Sequence, residues 1–464
     1  MIRIEDNISA TLKECVTSPS FLEVSHGRGI IETTPEELSR KIDGIASQLY
    51  SWGIREKYLV PLFLWNSLDF IVVFLSLLHI KAIPLMVKME YRELELAEIF
   101  NNAKPQAIIA ETEHLEFLGK YLEETIVITR TVKGFSLAQS FEGIESRKDV
   151  PDEVASINYT YRGYGYPLGA MISHGQYLHG VRVLRDGLYA EAGEKMLLVL
   201  PMTHIFTIVA CIFMPLLYKM TSVIVDTLYP RHLFRYIANL RVDYITAVPE
   251  IYALLSRLKD PNEDLSSLKT LVSGGSLLTK DSYENIRNGL GIELCQGYGL
   301  TEFTPVSANR RYAARSGTVG PVCDQVACRI ESASHEEEGE ILIKTPDMMG
   351  AYYRRPQESE EANQEGWFRT GDLGRFEDGH LVFIKELKKT RKINGNLVDL
   401  EEVSRAICMD KDIAKAQVSL DGNSLVAGIS ISKHIDLESK TKELRSYLRQ
   451  NLAAYKIPKK ITAA

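Results

Sequence analysis

The stretch that decides the fold reads YLVPLFLWNSLDFIVVFLSLLHIKAIPLMVKMEYRELELAEIFNNAKPQAIIAE and covers residues 58–111. In it, short apolar runs with strand character alternate with segments in which apolar residues recur at helical spacing. A further helix is predicted just before it, at residues 34–52, because Thr34 is a good N-cap and two glutamates follow in the first turn. This alternation is typical of a doubly wound, mostly parallel sheet, which binds its ligands at the carboxyl ends of the strands.

The alternation continues to about residue 300, and the pattern then changes twice. After Thr304 the sequence breaks into short strands and turns, such as GEILIKT and HLVFIKE, which indicate an antiparallel, barrel-like unit. From about Lys385 a compact β–α–β–β–α pattern follows, with a hairpin turn at Asp421-Gly422. We therefore predict an N-terminal domain at 1–384, a smaller C-terminal domain at 385–464, and a hinge near Lys385.

Composition excludes two classes of partner. The 464-residue chain has a net charge of −7 and a pI near 5.9, which argues against general binding to nucleic acid or to anionic membranes. The most apolar stretch, residues 70–80, is too short to span a bilayer, so it predicts a buried helix. The N-terminus lacks the apolar core of a signal peptide, and the six cysteines lack metal-ligand spacing. We expect a cytoplasmic protein with free thiols.

The segment QGYGLTEFTPV, at residues 296–306, carries the strongest chemical signal. Its two glycines let the backbone approach a ligand closely at the end of a predicted strand. Three other side chains offer a flat face for a purine, a hydroxyl for a phosphate oxygen and a hard carboxylate for Mg²⁺: Tyr298, Thr301 and Glu302. The combination predicts a nucleotide site; a glycine-rich turn with a surface acid is the alternative.

Two further segments offer groups that suit the same ligand. SGGSLLTKD, at 273–281, allows close backbone approach at Gly274 and Gly275, whereas Ser276 can equally cap the helix that follows. EGWFRTGDLG, at 365–374, holds Asp372 on a tight turn, where a carboxylate can accept hydrogen bonds from both ribose hydroxyls.

Taken in order, these segments resemble the adenylate-forming superfamily of acyl-CoA synthetases, peptide-synthetase adenylation domains and luciferases. The resemblance covers residues 34–460 and takes in LPMTHIFTIVAC at 200–211 and LKKTRKINGNLVDLEEV at 387–403. It implies an α/β fold: a large N-terminal portion of two doubly wound sheets with a small β-barrel, and a smaller, mobile α/β C-terminal domain. It implies that ATP is bound by Thr160, Gly274, Gly275, Ser276, Gln296, Gly297, Tyr298, Gly299 and Asp372. It further implies catalytic roles for Thr301, Glu302 and Lys392, with Mg²⁺ on Glu302, and an acid pocket at His204, Phe206 and Gly275.

The phosphate loop departs from the family's pattern. The family has small hydroxyls, glycines and a lysine there, whereas residues 159–175 read YTYRGYGYPLGAMISHG. Thr160 and Gly165 remain, but Leu168 stands in the place of the lysine. Arg162 can supply the missing charge, because its forked guanidinium can hold a phosphate at two points. Two interpretations stay open: a rewired ATP loop in which Arg162 is catalytic, or a weak or inactive relative.

The resemblance implies a two-step reaction. A small carboxylic acid attacks the α-phosphate of Mg·ATP, pyrophosphate leaves, and a thiol then takes the acyl group; the thiol belongs either to CoA or to the phosphopantetheine of an acyl or peptidyl carrier protein. No Asp or Glu lies between Lys195 and Val225, where domains that activate α-amino acids place an aspartate, so an acyl or aryl acid is expected. The family's terminal glycine–lysine motif is absent from the sequence, so a shortened C-terminal domain is expected. The alternative function is a non-catalytic or partial nucleotide-binding relative.

Overall fold

The structure is a computed structural model that describes residues 21–25, 29–131, 134–225, 227–332, 337–393, 395–422, 424–431 and 435–463. The N-terminal segment that lacks a signal-peptide core, including Cys15, lies outside the described residues. The strands are β1 Phe21–Ser25, β2 Gly29–Thr33, β3 Leu59–Phe63, β4 Ile83–Met86, β5 Ala107–Glu111, β6 Ile126–Thr131, β7 Gly134–Gln139, β8 Val154–Thr160, β9 Leu168–Ser173, β10 Lys195–Leu198, β11 Thr221–Val225, β12 Tyr244–Ala247, β13 Thr270–Ser273, β14 Leu294–Tyr298, β15 Ser307–Ala308, β16 Ala327–Glu331, β17 Gly339–Lys344, β18 Asn363–Gln364, β19 Trp367–Glu377, β20 His380–Glu386, β21 Thr390–Ile393, β22 Asn396–Asp399, β23 Ile413–Asp421, β24 Ser424–Ile431 and β25 Lys460–Ala463.

The α-helices are α1 Pro35–Ser51, α2 Leu68–His79, α3 Glu93–Ala103, α4 Leu115–Leu118, α5 His174–Leu188, α6 Ile205–Thr207, α7 Met214–Tyr218, α8 Pro230–Leu240, α9 Pro249–Leu258, α10 Lys280–Leu290, α11 Pro356–Ala362, α12 Leu400–Cys408 and α13 Leu437–Asn451. A π-helical segment, Ile208–Phe213, joins α6 to α7, so residues 205–218 form one continuous but irregular helix. Three-residue 3₁₀ helices lie at Thr112–His114, Gly119–Tyr121 and Ala454–Lys456.

Two large sheets form the N-terminal part. The first has the strand order β7-β6-β5-β3-β4-β8-β9, and the second has the order β15-β14-β13-β12-β10-β11-β1-β2. In each sheet the inner strands run parallel, and the edge strands β2, β7, β9 and β15 pair antiparallel. Most inner strands, among them β3, β5, β12 and β13, are buried along their length, as parallel sheets covered by helices require. The predicted doubly wound architecture is confirmed.

Local signals account for the helices that cover the first sheet. Thr34 accepts a hydrogen bond from the Glu37 amide, and the Glu37 side chain returns one, which completes a capping box at the start of α1. In α2 ten of the twelve residues are buried, so the apolar run at 70–80 is a core helix, as predicted. Within the described part of the chain, no helix is both long and apolar enough to cross a membrane.

The remaining strands form smaller units. The third sheet has the order β16-β17-β19-β18, with β20 paired to β19, and no pairing among the described residues closes it into the small barrel that the resemblance implies. The C-terminal residues form the hairpin β21–β22, the three-stranded sheet β23-β24-β25 and a hydrophobic core of their own. The predicted hairpin is present, because Asp421 pairs with Ser424. The division of the chain at residue 385 stays a prediction.

Candidate active site

One cavity brings together residues from every sequence motif. It lies at the carboxyl ends of the strands of the second sheet, where a doubly wound fold binds its ligands. Its lining includes most of the predicted site residues: Thr160, His204, Phe206, Gly274, Gly275, Gly297, Tyr298, Gly299, Thr301, Glu302, Asp372 and Lys392. Gln296 and Ser276 line an adjoining cleft on the other side of Tyr298. Arg162 lines neither.

Tyr298 is the last residue of β14 and Asp372 lies in the long strand β19, and the fold brings these two side chains together. Its Oδ2 accepts a hydrogen bond of 2.7 Å from the Tyr298 hydroxyl, and its Oδ1 lies 3.8 Å from the Lys388 Nζ. Burial raises the pKa of Tyr298 well above its ordinary value, and the Asp372 charge adds to the shift, so the phenol stays a donor. Lys388 was missed from sequence, although it lies in the segment at 387–403 that carries the resemblance.

The glycine loop after β13 packs directly against the predicted acid pocket. A Cβ at Gly274 would lie 3.2 Å from the Phe206 ring, so the ring rests on the bare backbone of the loop. The hydroxyl of Ser276 is buried without a hydrogen-bond partner, and it does not cap the next helix, because Thr279 takes that role. Thr203 and Ser273 also leave buried hydroxyls unpaired beside the cavity. Such groups fit a polar ligand.

The far end of the cavity is apolar. Its aliphatic and aromatic lining comes from α5, the segment that contains α6, and the strand β13: Val183, Leu184, Leu188, Ile205, Phe206, Val209 and Val272. His204 stands at the border between this apolar end and the nucleotide end, and its side chain makes no hydrogen bond that caps α6. Burial, with the charges of Lys88 and Lys392, lowers the pKa of His204 well below its ordinary value. The imidazole is therefore neutral at pH 7.

Lys88 is a cavity residue that sequence reasoning missed. It follows β4, lines the cavity with His204 and Lys392, and has an Nζ 3.4 Å from the Asn396 Oδ1 of the C-terminal part. Burial lowers the pKa of Lys88 to about 8. The sequence signal that could have identified Lys88 was its position just after an apolar strand, at the carboxyl edge of the sheet where such folds bind ligands.

The altered phosphate loop, residues 161–167 between β8 and β9, uses its tyrosine hydroxyls to bind neighbouring glutamates. The Tyr164 hydroxyl donates to Glu361, and the Tyr166 hydroxyl donates to Glu358, each at 2.6 Å. The Tyr161 hydroxyl donates to Glu402 at 2.7 Å. The tyrosines thus fix the loop to its surroundings instead of replacing the family's small phosphate-binding hydroxyls.

Arg162 is buried beside the glutamate predicted to hold the metal. Its Nη1 lies 3.5 Å from the Glu302 Oε1 and 3.2 Å from the Tyr352 hydroxyl, while its Nη2 donates to the Arg369 carbonyl at 2.6 Å. The guanidinium also lies over the Phe368 ring. In this arrangement of the loop Arg162 is held by Glu302, Tyr352 and the Arg369 carbonyl, and its role on the pyrophosphate stays a prediction.

These contacts also decide how well Mg²⁺ fits at Glu302. The Glu302 Oε1 already accepts hydrogen bonds from Tyr352 and Arg162, and the side chain is only 3% exposed. A divalent cation at that oxygen would meet the guanidinium charge at close range. In the described part of the chain, no group of three or more His, Cys, Asp or Glu side chains could hold a metal ion. As arranged, these residues do not fit the predicted Mg²⁺.

A buried ionic cluster joins the N-terminal part to the C-terminal part. Lys456, fully buried, forms ion pairs with Glu402 of α12 and with Glu95 of α3, the latter at 3.0 Å, and donates to the Tyr161 hydroxyl at 3.0 Å. Burial raises the pKa of Glu402 from 4.5 to about 7, with Glu95 adding to the shift and Lys456 opposing it. This cluster had no signal in the sequence, because its members are far apart along the chain.

Comparison with known proteins agrees with the fold and with the family that the motifs indicate. A family model described as AMP-binding enzyme matches residues 20–353. The chain is 26% identical over 447 residues to 4-coumarate-CoA ligase 1 of Narcissus pseudonarcissus (89% of this chain, 81% of that one), and 27% identical over 328 residues to a long-chain-fatty-acid–CoA ligase of Bacillus subtilis strain 168 (67% and 58%). The amide bond synthetase McbA from Marinactinospora thermotolerans has the same fold, with a TM-score of 0.85, 20% identity, and coverage of 99% of this chain and 95% of that one.

The chain therefore belongs to the AMP-binding enzyme family, the adenylate-forming superfamily that the motifs indicate. Its activity class is that of an AMP-forming acid–thiol ligase.

Proposed function

We propose that this enzyme activates an apolar alkyl or aryl carboxylic acid with ATP and transfers the acyl group to the thiol of CoA. The observation that carries the proposal is the two-ended cavity, which has nucleotide-type groups around Tyr298 and Asp372 at one end and an aliphatic pocket around Phe206 at the other. An acyl-adenylate has this same division into a polar nucleotide and an acyl chain. A carrier-protein phosphopantetheine is the second acceptor to test, because it presents the same thiol.

The nucleotide end supplies contacts for the adenosine. Tyr298 offers its ring, and the Asp372 carboxylate, held by Tyr298 and Lys388, is placed to accept the ribose hydroxyls. The backbone of Gly274 and Gly275 can lie against the ligand without a side chain in the way. These residues orient the α-phosphate towards the border of the apolar pocket.

The residues at the border act on the reacting groups. Lys392 and Lys88 bring positive charge to the place where the acid carboxylate and the α-phosphate meet, and Thr301 adds a hydroxyl. Neutral His204 adds no net charge of its own, so these two lysines carry the local positive charge. Positioning and charge neutralisation suffice for this reaction, because the acyl phosphate anhydride is itself reactive.

The acid is proposed to be uncharged apart from its reacting carboxylate. Each carboxylate in the described lining of the cavity already has a protein partner: Glu302 has Arg162 and Tyr352, Asp372 has Tyr298 and Lys388, and Glu386 accepts a hydrogen bond from the Thr390 hydroxyl at 3.5 Å. The apolar end lacks an acid that could pair with the ammonium of an amino acid among its described lining residues. An α-amino acid would therefore bury an unpaired charge, which is costly.

The test is product analysis with a panel of acids. The enzyme is incubated with ATP, CoA and, in separate reactions, cinnamic-type aryl acids, fatty acids of graded length and α-amino acids. We expect AMP, pyrophosphate and an acyl-CoA with at least one aryl or fatty acid, and none with the amino acids. An amino acid as the best substrate, or a panel that gives no acyl-CoA and no pyrophosphate, would contradict the proposal.

A further inference from the structure

The backbone amides of the altered phosphate loop already bind an anion, which is the side-chain carboxylate of Asp399. The Asp399 Oδ2 accepts hydrogen bonds from the Gly163 amide at 2.9 Å and from the Gly165 amide at 3.1 Å. Both glycines have positive φ angles, +90° and +82°, which turn their amides towards one point. Converging backbone amides of this kind form an anion-binding concavity, the arrangement by which phosphate loops hold phosphates.

The other oxygen of the same carboxylate is bound within the C-terminal part. The Asp399 Oδ1 accepts hydrogen bonds from the Glu401 and Glu402 amides, so it caps α12. One side chain therefore bridges the phosphate loop and the first helix of the C-terminal part.

The approach is close because the loop has glycine at both positions. A Cβ at Gly163 would lie 3.0 Å from the Lys389 nitrogen, and a Cβ at Gly165 would lie 3.0 Å from the Arg405 side chain. Arg405 also donates to the Gly165 carbonyl at 2.8 Å. Gly165 is shared with the family's pattern, whereas Gly163 stands where the family has a small hydroxyl residue, and both permit close contact with the C-terminal part.

We propose that Asp399 is a positioning residue, which docks the C-terminal part on the loop by taking the place of the β- and γ-phosphates of ATP. Triphosphate binding and docking then exclude each other at the Gly163 and Gly165 amides. AMP and the acyl-adenylate have no β- or γ-phosphate, so they bind with the C-terminal part docked. This inference rests on the proposed function only in taking the triphosphate as the loop's ligand.

The decisive variant is Asp399→Ser. Serine is a good N-cap, so it keeps α12 capped, but it has a single oxygen and no charge to offer to the loop. The matched control is Asp436→Ser, because Asp436 caps α13 of the same part through the Ser439 amide at 2.8 Å and bonds within its own helix, not to the loop. Asp399→Asn is the second variant, since it also keeps a capping oxygen while it loses the charge.

Two measurements test the proposal in the full-length protein. Binding of α,β-methylene-ATP and of AMP is measured by calorimetry, and amide hydrogen exchange is followed in the loop and at the start of α12. In Asp399→Ser we expect the affinity for the triphosphate to rise roughly ten- to a hundredfold, the scale of a charged hydrogen bond, while the affinity for AMP changes by less than about twofold. The Gly163 and Gly165 amides should exchange faster, while those of Glu401 and Glu402 stay protected.

Three results would overturn the proposal: an unchanged affinity for the triphosphate in both Asp399 variants, an equal gain for AMP, or the same gain in Asp436→Ser. Faster exchange at Glu401 and Glu402 in Asp399→Ser would mean that the cap is lost, and Asp399→Asn then decides between the same outcomes. None of these outcomes depends on which acid is activated. The acid panel can therefore contradict the proposed function while the proposal for Asp399 stands, and the Asp399 variants can contradict this proposal while the proposed function stands.

Discussion

Replacing Asp372 by asparagine separates its binding role from its structural one. In the free protein Asp372 is 3% exposed, accepts a 2.7 Å hydrogen bond from Tyr298 and has Lys388 at 3.8 Å. Asparagine keeps an acceptor for the Tyr298 hydroxyl, so the free energy of unfolding should fall by only about 1 kcal/mol. The charged hydrogen bonds to the ribose are lost, and these are worth about 1.5–3 kcal/mol, which corresponds to roughly a ten- to hundredfold loss of affinity for AMP.

The assay pairs calorimetric titration of AMP with urea unfolding. Asp372→Ala should lose the same affinity but more stability, because it leaves the buried Tyr298 hydroxyl without an acceptor. The control is Asp378→Asn, a change at an exposed residue in the turn between β19 and β20. If Asp372→Asn folds and binds AMP as the unchanged protein does, the ribose-binding role is wrong.

Three further predictions follow from the buried charges. Arg162→Met leaves Glu302 buried beside Tyr352 without its cation, so the free energy of unfolding in urea should fall by about 3–5 kcal/mol. Mg²⁺ at the freed carboxylate should restore part of that stability. Stability equal to that of the unchanged protein would contradict this prediction. The pKa of Glu402 rises from 4.5 to about 7 in the docked state, so docking of the C-terminal part should weaken as the pH rises from about 4.5 to about 7. The distance between one dye on each part measures docking. A pH dependence of that distance that persists in Glu402→Gln would refute the prediction. Lys88→Met should keep the fold but bind an acyl-sulfamoyl-adenosine analogue more weakly by calorimetry, and unchanged binding would remove Lys88 from the site.

The sequence predicted the fold well because the signals for it are local. Thr34 caps α1, the apolar run of α2 is long enough for a helix and too short for a bilayer, and strand-like runs alternate with helices in order. The motif order also predicted that Tyr298 and Asp372 would lie together, although 74 positions separate them. A resemblance in motif order carries that long-range information, whereas composition and periodicity do not.

The sequence did not predict what the altered loop contacts. Arg162 has both charge and reach for a phosphate, and nothing local shows that Glu302 and Tyr352 take it instead. Likewise, nothing near Asp399 in the sequence indicates that its carboxylate contacts Gly163, which lies 236 positions away. A buried charge has several possible partners within reach, and the folded arrangement of distant elements determines which of them it contacts.

The central claim, that this enzyme forms an acyl-adenylate, is tested most directly by isotope exchange between labelled pyrophosphate and ATP. Exchange requires the acid to react reversibly at the α-phosphate, and it needs neither CoA nor release of a product. We predict exchange that depends on an aryl or fatty acid, that increases in Asp399→Ser and that falls in Asp372→Asn. The absence of exchange with every acid tested, in both the unchanged protein and Asp399→Ser, would contradict the claim.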